Sequence, residues 1–254
     1  MNEMKGQRPE GTNVTKAMIF AAGLGTRLKP FTDHHPKALA VVNGKTLLQR
    51  NIEYLASYGI TNIIVNAHHF AEQISDFISH NKFPGLRVSL SYEKTQPLET
   101  GGGLKHAAWF FEDEREPFIV MNADILTNLN IHHIVSDHYS NQPLVTLAVT
   151  NRKSSRSFLF NENNILTGWR NNNTGEEKIA RPSEETFIAA SFSGLHVIEP
   201  GMLPLMEQRG KYYIIDTYLQ LAKTHNIRGF WHNDDTVIDV GKPESIAEAE
   251  KFFT

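Results

Sequence analysis

The residues able to do chemistry in this 254-residue chain sit where apolar runs stop. The run Ala17 to Ala22 ends at Gly23-Leu24-Gly25-Thr26-Arg27, and Pro36-Lys37 follows shortly after. Glycines let backbone N–H groups approach a polyphosphate with no side chain in the way. Arg27 can clasp phosphate oxygens with a planar fork, and Lys37 adds a compact charge. Either cation alone is an ordinary surface residue; beside this loop the pair points to nucleotide chemistry. Asp124 follows the run Phe118 to Met121, and Asp239 ends Thr236-Val-Ile-Asp ahead of Gly241-Lys-Pro-Glu244. Two carboxylates, completed by water and substrate phosphates, are the usual ligands of Mg²⁺. The plainer roles are a cap for Asp124 and a turn brace for Asp239 before a helix opened by Pro243.

Two familiar glycine loops do not fit. A dinucleotide fingerprint needs a third glycine where Leu28 stands, and the second strand ends in Asn66-Ala-His68, with no acid for a ribose. A phosphate-binding P-loop needs Gly-Lys-Ser/Thr, which does not occur. A different glycine cluster lies in Gln96-Pro-Leu-Glu-Thr-Gly-Gly-Gly103, where the glycines are expected to precede a helix and expose its N–H donors. Plain flexibility is the competing reading. The His-His pairs at 34–35, 68–69 and 132–133 lack the spacing of a metal site and are expected on loops and surface.

These residues need a frame that brings strand ends together, and the pattern supplies one. Leu47, Leu48, Ile52, Leu55 and Tyr58 recur at helical spacing before Gly59; Phe70, Ile74, Phe77 and Ile78 mark a second helix. Ile63 to Val65 is a short strand, Leu86 to Tyr92 alternates with period two, and Leu104, Ala107, Ala108 and Phe111 suggest a helix before the strand Pro117 to Met121. Such alternation predicts an α/β fold: one Rossmann-like, mostly parallel sheet with helices on both faces. Ligands of such sheets bind beyond the carboxyl ends of the strands, where Gly23, Gly25, His68 and Asp124 fall. Further on, Leu144 to Val149 and Phe187 to Ile198 are expected strands, and Tyr213 to Ala222 and Pro243 to Phe253 helices. The polar stretch Asn171 to Glu185 has no period and is expected to be a loop or flap. The second half is thus a mixed β insertion and lid on a single domain.

The net charge of −3 gives none of the basic excess that marks nucleic-acid binders. Without cysteine the chain has no disulfide and no thiolate metal site, which fits a reducing compartment. No apolar run approaches bilayer length, and Met1 to Thr15 lacks the apolar core of a signal peptide. The expectation is a cytoplasmic protein with a loose leader over 1–15 and a folded unit over 16–254; its oligomeric state is left open.

Ala21-Ala-Gly-x-Gly-Thr-Arg-Leu-x-Pro, with Pro-Lys-Ala-Leu downstream, resembles the signature of the sugar-1-phosphate nucleotidyltransferases. Asn122-Ala-Asp124 and Asp239-Val-Gly-Lys-Pro-Glu244 are similar to that family's metal motifs, so the resemblance runs from Lys16 to about Phe253. It implies a GT-A-like fold with a nucleotide-binding half (16–125) and a sugar-phosphate half (126–254). It also implies nucleoside triphosphate and sugar 1-phosphate as substrates, with Mg²⁺ on Asp124 and Asp239. Arg27 and Lys37 would be the catalytic cations. Ala21, Ala22, Gly23, Gly25, Thr26, Gln96, Gly101, Gly102 and Asn122 would bind the nucleotide, with Gln96 reading the base edge. Glu99, Arg170 and Gly194 would meet the sugar phosphate; Trp169-Arg170 replaces the Glu-Lys of many relatives. Pro-Leu-Glu-Thr-Gly-Gly-Gly most resembles uridylyltransferases acting on N-acetylmuramic acid 1-phosphate, a cell-wall recycling step. The alternatives are guanylyl transfer to mannose- or heptose-type phosphates, or a non-catalytic nucleotide-sugar sensor.

Overall fold

The computed structural model describes residues 13–182 and 187–253. In chain order the strands are β1 (Lys16–Phe20), β2 (Val41–Val42), β3 (Lys45–Thr46), β4 (Asn62–Ala67), β5 (Arg87–Tyr92), β6 (Phe118–Asn122), β7 (Ile125–Thr127) and β8 (Val145–Thr150), then β9 (Arg156–Phe160), β10 (Leu166–Asn171), β11 (Glu177–Ile179), β12 (Ile188–Ile198), β13 (Ile227–Trp231) and β14 (Val237–Asp239). The helices are α1 (Leu47–Ser57), α2 (Ala71–His80), α3 (Glu99–His106), α4 (Ile131–Asn141), α5 (Met202–Leu205), α6 (Ile214–Leu221) and α7 (Pro243–Phe252).

The large sheet has the order β11-β10-β9-β12-β6-β1-β4-β5, with β8 on β12 and β13 on β8. Strand β1 pairs in parallel with β4 and β6, and β4 with β5. From Ala17 onward its run is apolar because both faces are covered. Met18 and Phe20 enter one core with Leu104, Val120 and Tyr218. Ala17 and Ile19 enter the other with Ile52, Ile74 and Ile134. Strand β12 is antiparallel to β6 on one side and to β8 on the other. The carboxyl ends of β6 and β8 therefore lie at the same edge of the sheet as that of β1.

Local chemistry starts the helices where expected. The Thr46 hydroxyl accepts from Gln49 N at the start of α1, Asn130 does the same for His132 N at α4, and Pro243 opens α7. A third small core joins Leu28 of the glycine loop to Ile238, Val240 and Ala249. That core fixes the Arg27 segment against the strand carrying Asp239.

Four expectations change. Val14 is buried and the Thr15 carbonyl accepts from Thr61 N and Asn62 N, so the folded unit begins before Lys16; residues 1–12 lie outside the described ones. Gly101 to Gly103 lie inside α3 rather than ahead of it. That helix stops at His106, and Ala108–Phe111 form a separate 3-10 turn. The stretch expected as an aperiodic flap contains β11, which pairs with β10 as a hairpin; positions 183–186 of it lie outside the described residues.

Candidate functional site

At the carboxyl edge of β1, β4 and β6 two adjoining clefts share Phe20, Gly23 and Thr100 in their walls. The first is lined by Ala21, Lys37, Asn122 and Asp124. The second is lined by Ala22, Asn66, Pro97, Glu99 and Lys211. Gly25 takes φ +62° at the turn into the Thr26–Leu28 helical turn. A Cβ there would come within 2.9 Å of both Lys37 Cβ and Thr32 Cγ2. Glycine is thus needed at 25 for conformation and for space, whereas Gly23 faces open space.

The charged groups converge. Lys37 Nζ lies 2.5 Å from Asp124 Oδ2 and 3.8 Å from Asp239 Oδ1, and Arg27 Nη2 lies 3.7 Å from Asp239 Oδ2. The two aspartates are also joined through the backbone, because Val240 N donates to the Asp124 carbonyl at 2.8 Å. Asn51 Nδ2 donates to the Ala123 carbonyl and fixes the same turn from behind. The bridging lysine leaves Asp239 Oδ1 buried without a hydrogen-bond partner. Two hard oxygen donors on rigid strand ends, one of them unsatisfied, fit a divalent cation completed by phosphate oxygens.

A buried polar relay shapes the second cleft. Ala21 N donates to Asn66 Oδ1 at 2.8 Å, and Asn66 Nδ2 donates to Glu93 Oε1 at 2.7 Å. Glu93 Oε2 accepts from Leu98 N at 2.7 Å. The glycine loop and the 94–98 loop are thereby tied to one amide and one carboxylate. A Cβ on Gly103 would come within 2.7 Å of Asn66 Nδ2 and 2.8 Å of Glu93 Oε1.

The α3 glycines are needed for close packing. The Gly101 and Gly102 amides both donate to the Tyr212 carbonyl, so they are not turned toward the cleft. A Cβ on Gly102 would lie 2.1 Å from the Gly210 carbonyl oxygen. Glu99 opens α3 at φ +59°, a strained value for a non-glycine residue, with its carboxylate 3.4 Å from Lys211 Nζ.

A scan against family models matches the nucleotidyl transferase model over residues 16–254. The chain belongs to this nucleotidyl transferase family. It is 40% identical over 110 residues to N-acetylmuramate alpha-1-phosphate uridylyltransferase of Caulobacter vibrioides, covering 42% of this chain and 45% of that one. It is 26% identical over 236 residues to mannose-1-phosphate guanyltransferase 2 of Candida glabrata, covering 90% and 62%. The chain thus spans about half to three-fifths of the length of these curated relatives. In fold it is similar to HddC of Yersinia pseudotuberculosis complexed with GMP-PN (TM-score 0.75, 22% identity, 95% of this chain and 100% of that one). It is likewise similar to a UDP-glucose pyrophosphorylase complexed with UDP-glucose (TM-score 0.73, 18% identity, 94% and 98%). These neighbours share the expected GT-A-like fold.

Within that family frame, the expected residues divide. Ala21, Ala22, Gly23, Lys37, Glu99, Asn122 and Asp124 line the clefts. Arg27 and Asp239 reach the same point through the ion pairs above, and Gly25 and Thr26 form the loop. Gly194 takes φ +75°, and its α-carbon faces Asn122 so closely that a Cβ would lie 3.1 Å from Asn122 Nδ2. Gln96 is exposed and lines neither cleft, on the loop whose Leu98 N is bonded to Glu93. Arg170 is held by Glu177 at 2.6 Å across the β10–β11 hairpin and also lines neither cleft. Gly101 and Gly102 pack against the 210–212 segment. Sequence reasoning missed Asn66, Glu93, Thr100 and Lys211. The first two carry the signal that marked Asp124, a polar residue closing a strand; Lys211 carries none.

Proposed function

We propose that this chain is an Mg²⁺-dependent sugar-1-phosphate nucleotidyltransferase, joining a nucleoside triphosphate to a sugar 1-phosphate with release of pyrophosphate. The observation that carries this is Lys37 bridging Asp124 and Asp239 at the mouth of the Gly23–Gly25 loop. Such a transfer brings two anions together, so positioning and charge neutralisation dominate its catalysis. Asp124 and Asp239 would hold Mg²⁺, which when bound supplies charge neutralisation at the triphosphate. Lys37 and Arg27 set permanent positive charge beside the phosphates. Ala22 to Gly25 would offer backbone donors, while Asn122 lines the wall facing the acceptor and Gly194 lets β12 pack closely against it. In this reading residues 16–125 bind the nucleotide and 126–254 receive the sugar phosphate, in the cytoplasm, where both substrates are found.

The preferred pair is UTP with N-acetylmuramic acid 1-phosphate. Its support is the resemblance of Pro97 to Gly103 to the uridylyl branch and the 40% identity to the Caulobacter uridylyltransferase. Guanylyl transfer to a mannose- or heptose-type phosphate is the second reading. Glu99 in the cleft wall favours it, since a carboxylate suits the paired donors of guanine. Pyrophosphate release from UTP and GTP, each with a panel of sugar 1-phosphates, separates the two. Turnover of GTP with mannose or heptose phosphates and hardly any of UTP overturns the uridylyl choice; no release with any pair overturns the transferase reading.

A further inference from the structure

A second polar cluster lies at the same sheet edge, one strand beyond Asn122. Because β6 and β8 both run antiparallel to β12 between them, the residues after Thr150 emerge beside the cleft rather than behind it. The pairing of β12 with β8 slips between Phe192 and His196, and Gly194 occupies that slip. Ser193 Oγ and His232 Nε2 share a hydrogen bond of 2.8 Å, and His232 Nδ1 lies 3.3 Å from Asp235 Oδ2. His232 N donates to the Val149 carbonyl at 3.1 Å, so the residue is held by its backbone as well as by the Nε2 bond. Arg152 folds over the same turn. Its Nη2 donates to the Phe192 carbonyl at 2.8 Å, and its own carbonyl accepts from Ser191 Oγ at 2.6 Å.

The carboxylate of this cluster, Asp235, lies beside His232 and makes no ion pair with Arg152. Among the described residues no carboxylate oxygen lies within 4.0 Å of the Arg152 guanidinium. Its Nε is buried with no hydrogen-bond partner, as are Thr150 Oγ1 and His232 Nδ1. Burial holds the His232 imidazole below its ordinary range, so Arg152 is the permanent cation here. A half-buried guanidinium without a counter-ion is costly unless an anion completes it. Its fork suits an oxyanion gripped at two oxygens. Arg170, by contrast, already has Glu177.

We infer that Arg152, held over the Gly194 turn and backed by Ser193 and His232, binds an anionic group of the second substrate. This rests on the transferase reading above. The anion is the 1-phosphate or, for a sugar bearing one, a carboxylate. The triphosphate is not the partner, since Lys37 and Asp124 lie across β12 from Arg152. Ser193 and His232 are positioning residues: they hold the Phe192 to Gly194 turn against which the guanidinium lies.

The test uses the full chain with Arg152→Gln, Arg152→Lys and Ser193→Ala. KM and kcat are measured for UTP, for N-acetylglucosamine 1-phosphate and for N-acetylmuramic acid 1-phosphate, which differ by one lactyl carboxylate. Calorimetry of each sugar phosphate and a thermal melt accompany them. Arg152→Gln is expected to raise KM and Kd of the acceptor about 10- to 100-fold, the loss of a charged hydrogen bond. KM for UTP is expected to stay put, with Arg152→Lys recovering part of the acceptor loss. Ser193→Ala is expected to raise acceptor KM less and to leave UTP unchanged. A loss confined to the muramic compound identifies the carboxylate, and an equal loss for both identifies the phosphate. Unchanged acceptor KM and Kd in a folded Arg152→Gln protein overturns the inference, as does an equal rise for UTP or no calorimetric binding to the wild type. A wild type that binds sugar phosphate yet turns over no triphosphate sinks the transferase reading alone.

Discussion

Lys37 stands 2.5 Å from Asp124, joining the Pro36-Lys37 turn after the first strand to the end of β6 through one ion pair. Its ammonium is largely buried and also reaches toward Asp239. Two acids that would repel each other are thus held together by one cation, at the point where the glycine loop opens. In the proposed transfer Asp124 and Asp239 would hold a divalent ion here, with the Lys37 ammonium beside them.

Removing either acid should therefore remove metal dependence before it removes the fold. Asp124→Asn and Asp239→Asn are each expected to abolish Mg²⁺-dependent turnover, a loss of several kcal/mol of transition-state stabilisation. Asparagine keeps the shape and much of the hydrogen bonding, so circular dichroism should remain native. Turnover measured across a Mg²⁺ titration decides it. Near-wild-type rates for both variants at limiting Mg²⁺ would remove the metal assignment.

Arg27 is more exposed than Lys37 and reaches Asp239 only at 3.7 Å. In the proposed transfer it is the side chain that would meet charge developing on the departing pyrophosphate. Arg27→Ala is expected to slow the chemical step more than it weakens nucleotide binding. Single-turnover rates beside equilibrium nucleotide affinity make the comparison. An unchanged single-turnover rate with a raised nucleotide Kd would reduce Arg27 to a binding group.

What the sequence disclosed followed chain continuity. The place of Asp124 and Asn122 in the cleft wall was legible because an apolar strand must end somewhere, and these polar residues stand at that end. Gly23 to Arg27 were legible for the same reason. Gln96 and Arg170 line neither cleft, and the bonds that set their surroundings, Glu93 to Leu98 for one and Glu177 for the other, are not visible in a local pattern. The packing role of Gly101 and Gly102 was hidden because its cause is the 210–212 segment, about a hundred residues away in sequence. Arg152 left no sequence signal, since its significance is the carboxylate that is not beside it.

The glycines of α3 and of the loop should consequently fail in different ways. Gly102→Ala places a methyl group where the Gly210 carbonyl lies at 2.1 Å, and backbone must move. A destabilisation of about 1–3 kcal/mol is expected, read from urea unfolding. Gly23→Ala meets nothing within 4 Å and should leave stability almost unchanged while impairing nucleotide use. Equal unfolding midpoints for the two variants would contradict this assignment.

His196 supplies a pH dependence whose sign is fixed by burial. Its ring is fully enclosed beside Phe20 and Phe192, with Nδ1 hydrogen-bonded to the Tyr218 hydroxyl at 2.5 Å and Nε2 without a partner. Burial pushes its pKa down from the ordinary 6.5 to about 3. The folded protein therefore keeps the ring neutral, while the unfolded chain takes up a proton below about pH 6.5. Between those values the unfolded state binds the extra proton, so stability is full above pH 6.5 and falls as the pH drops toward 3. At pH 5 this one group should cost about 2 kcal/mol relative to pH 7. His232, also lowered by burial, adds in the same direction and is present in both proteins compared. His196→Gln keeps a polar partner for Tyr218 and removes the titration. It is expected to be less stable than wild type at pH 7, yet to lose about 2 kcal/mol less between pH 7 and pH 5. Urea midpoints for both proteins at the two pH values give that difference of differences directly. An unchanged difference would mean that the His196 ring is protonated in the folded protein, and with it that the core beside Phe20 admits a charge.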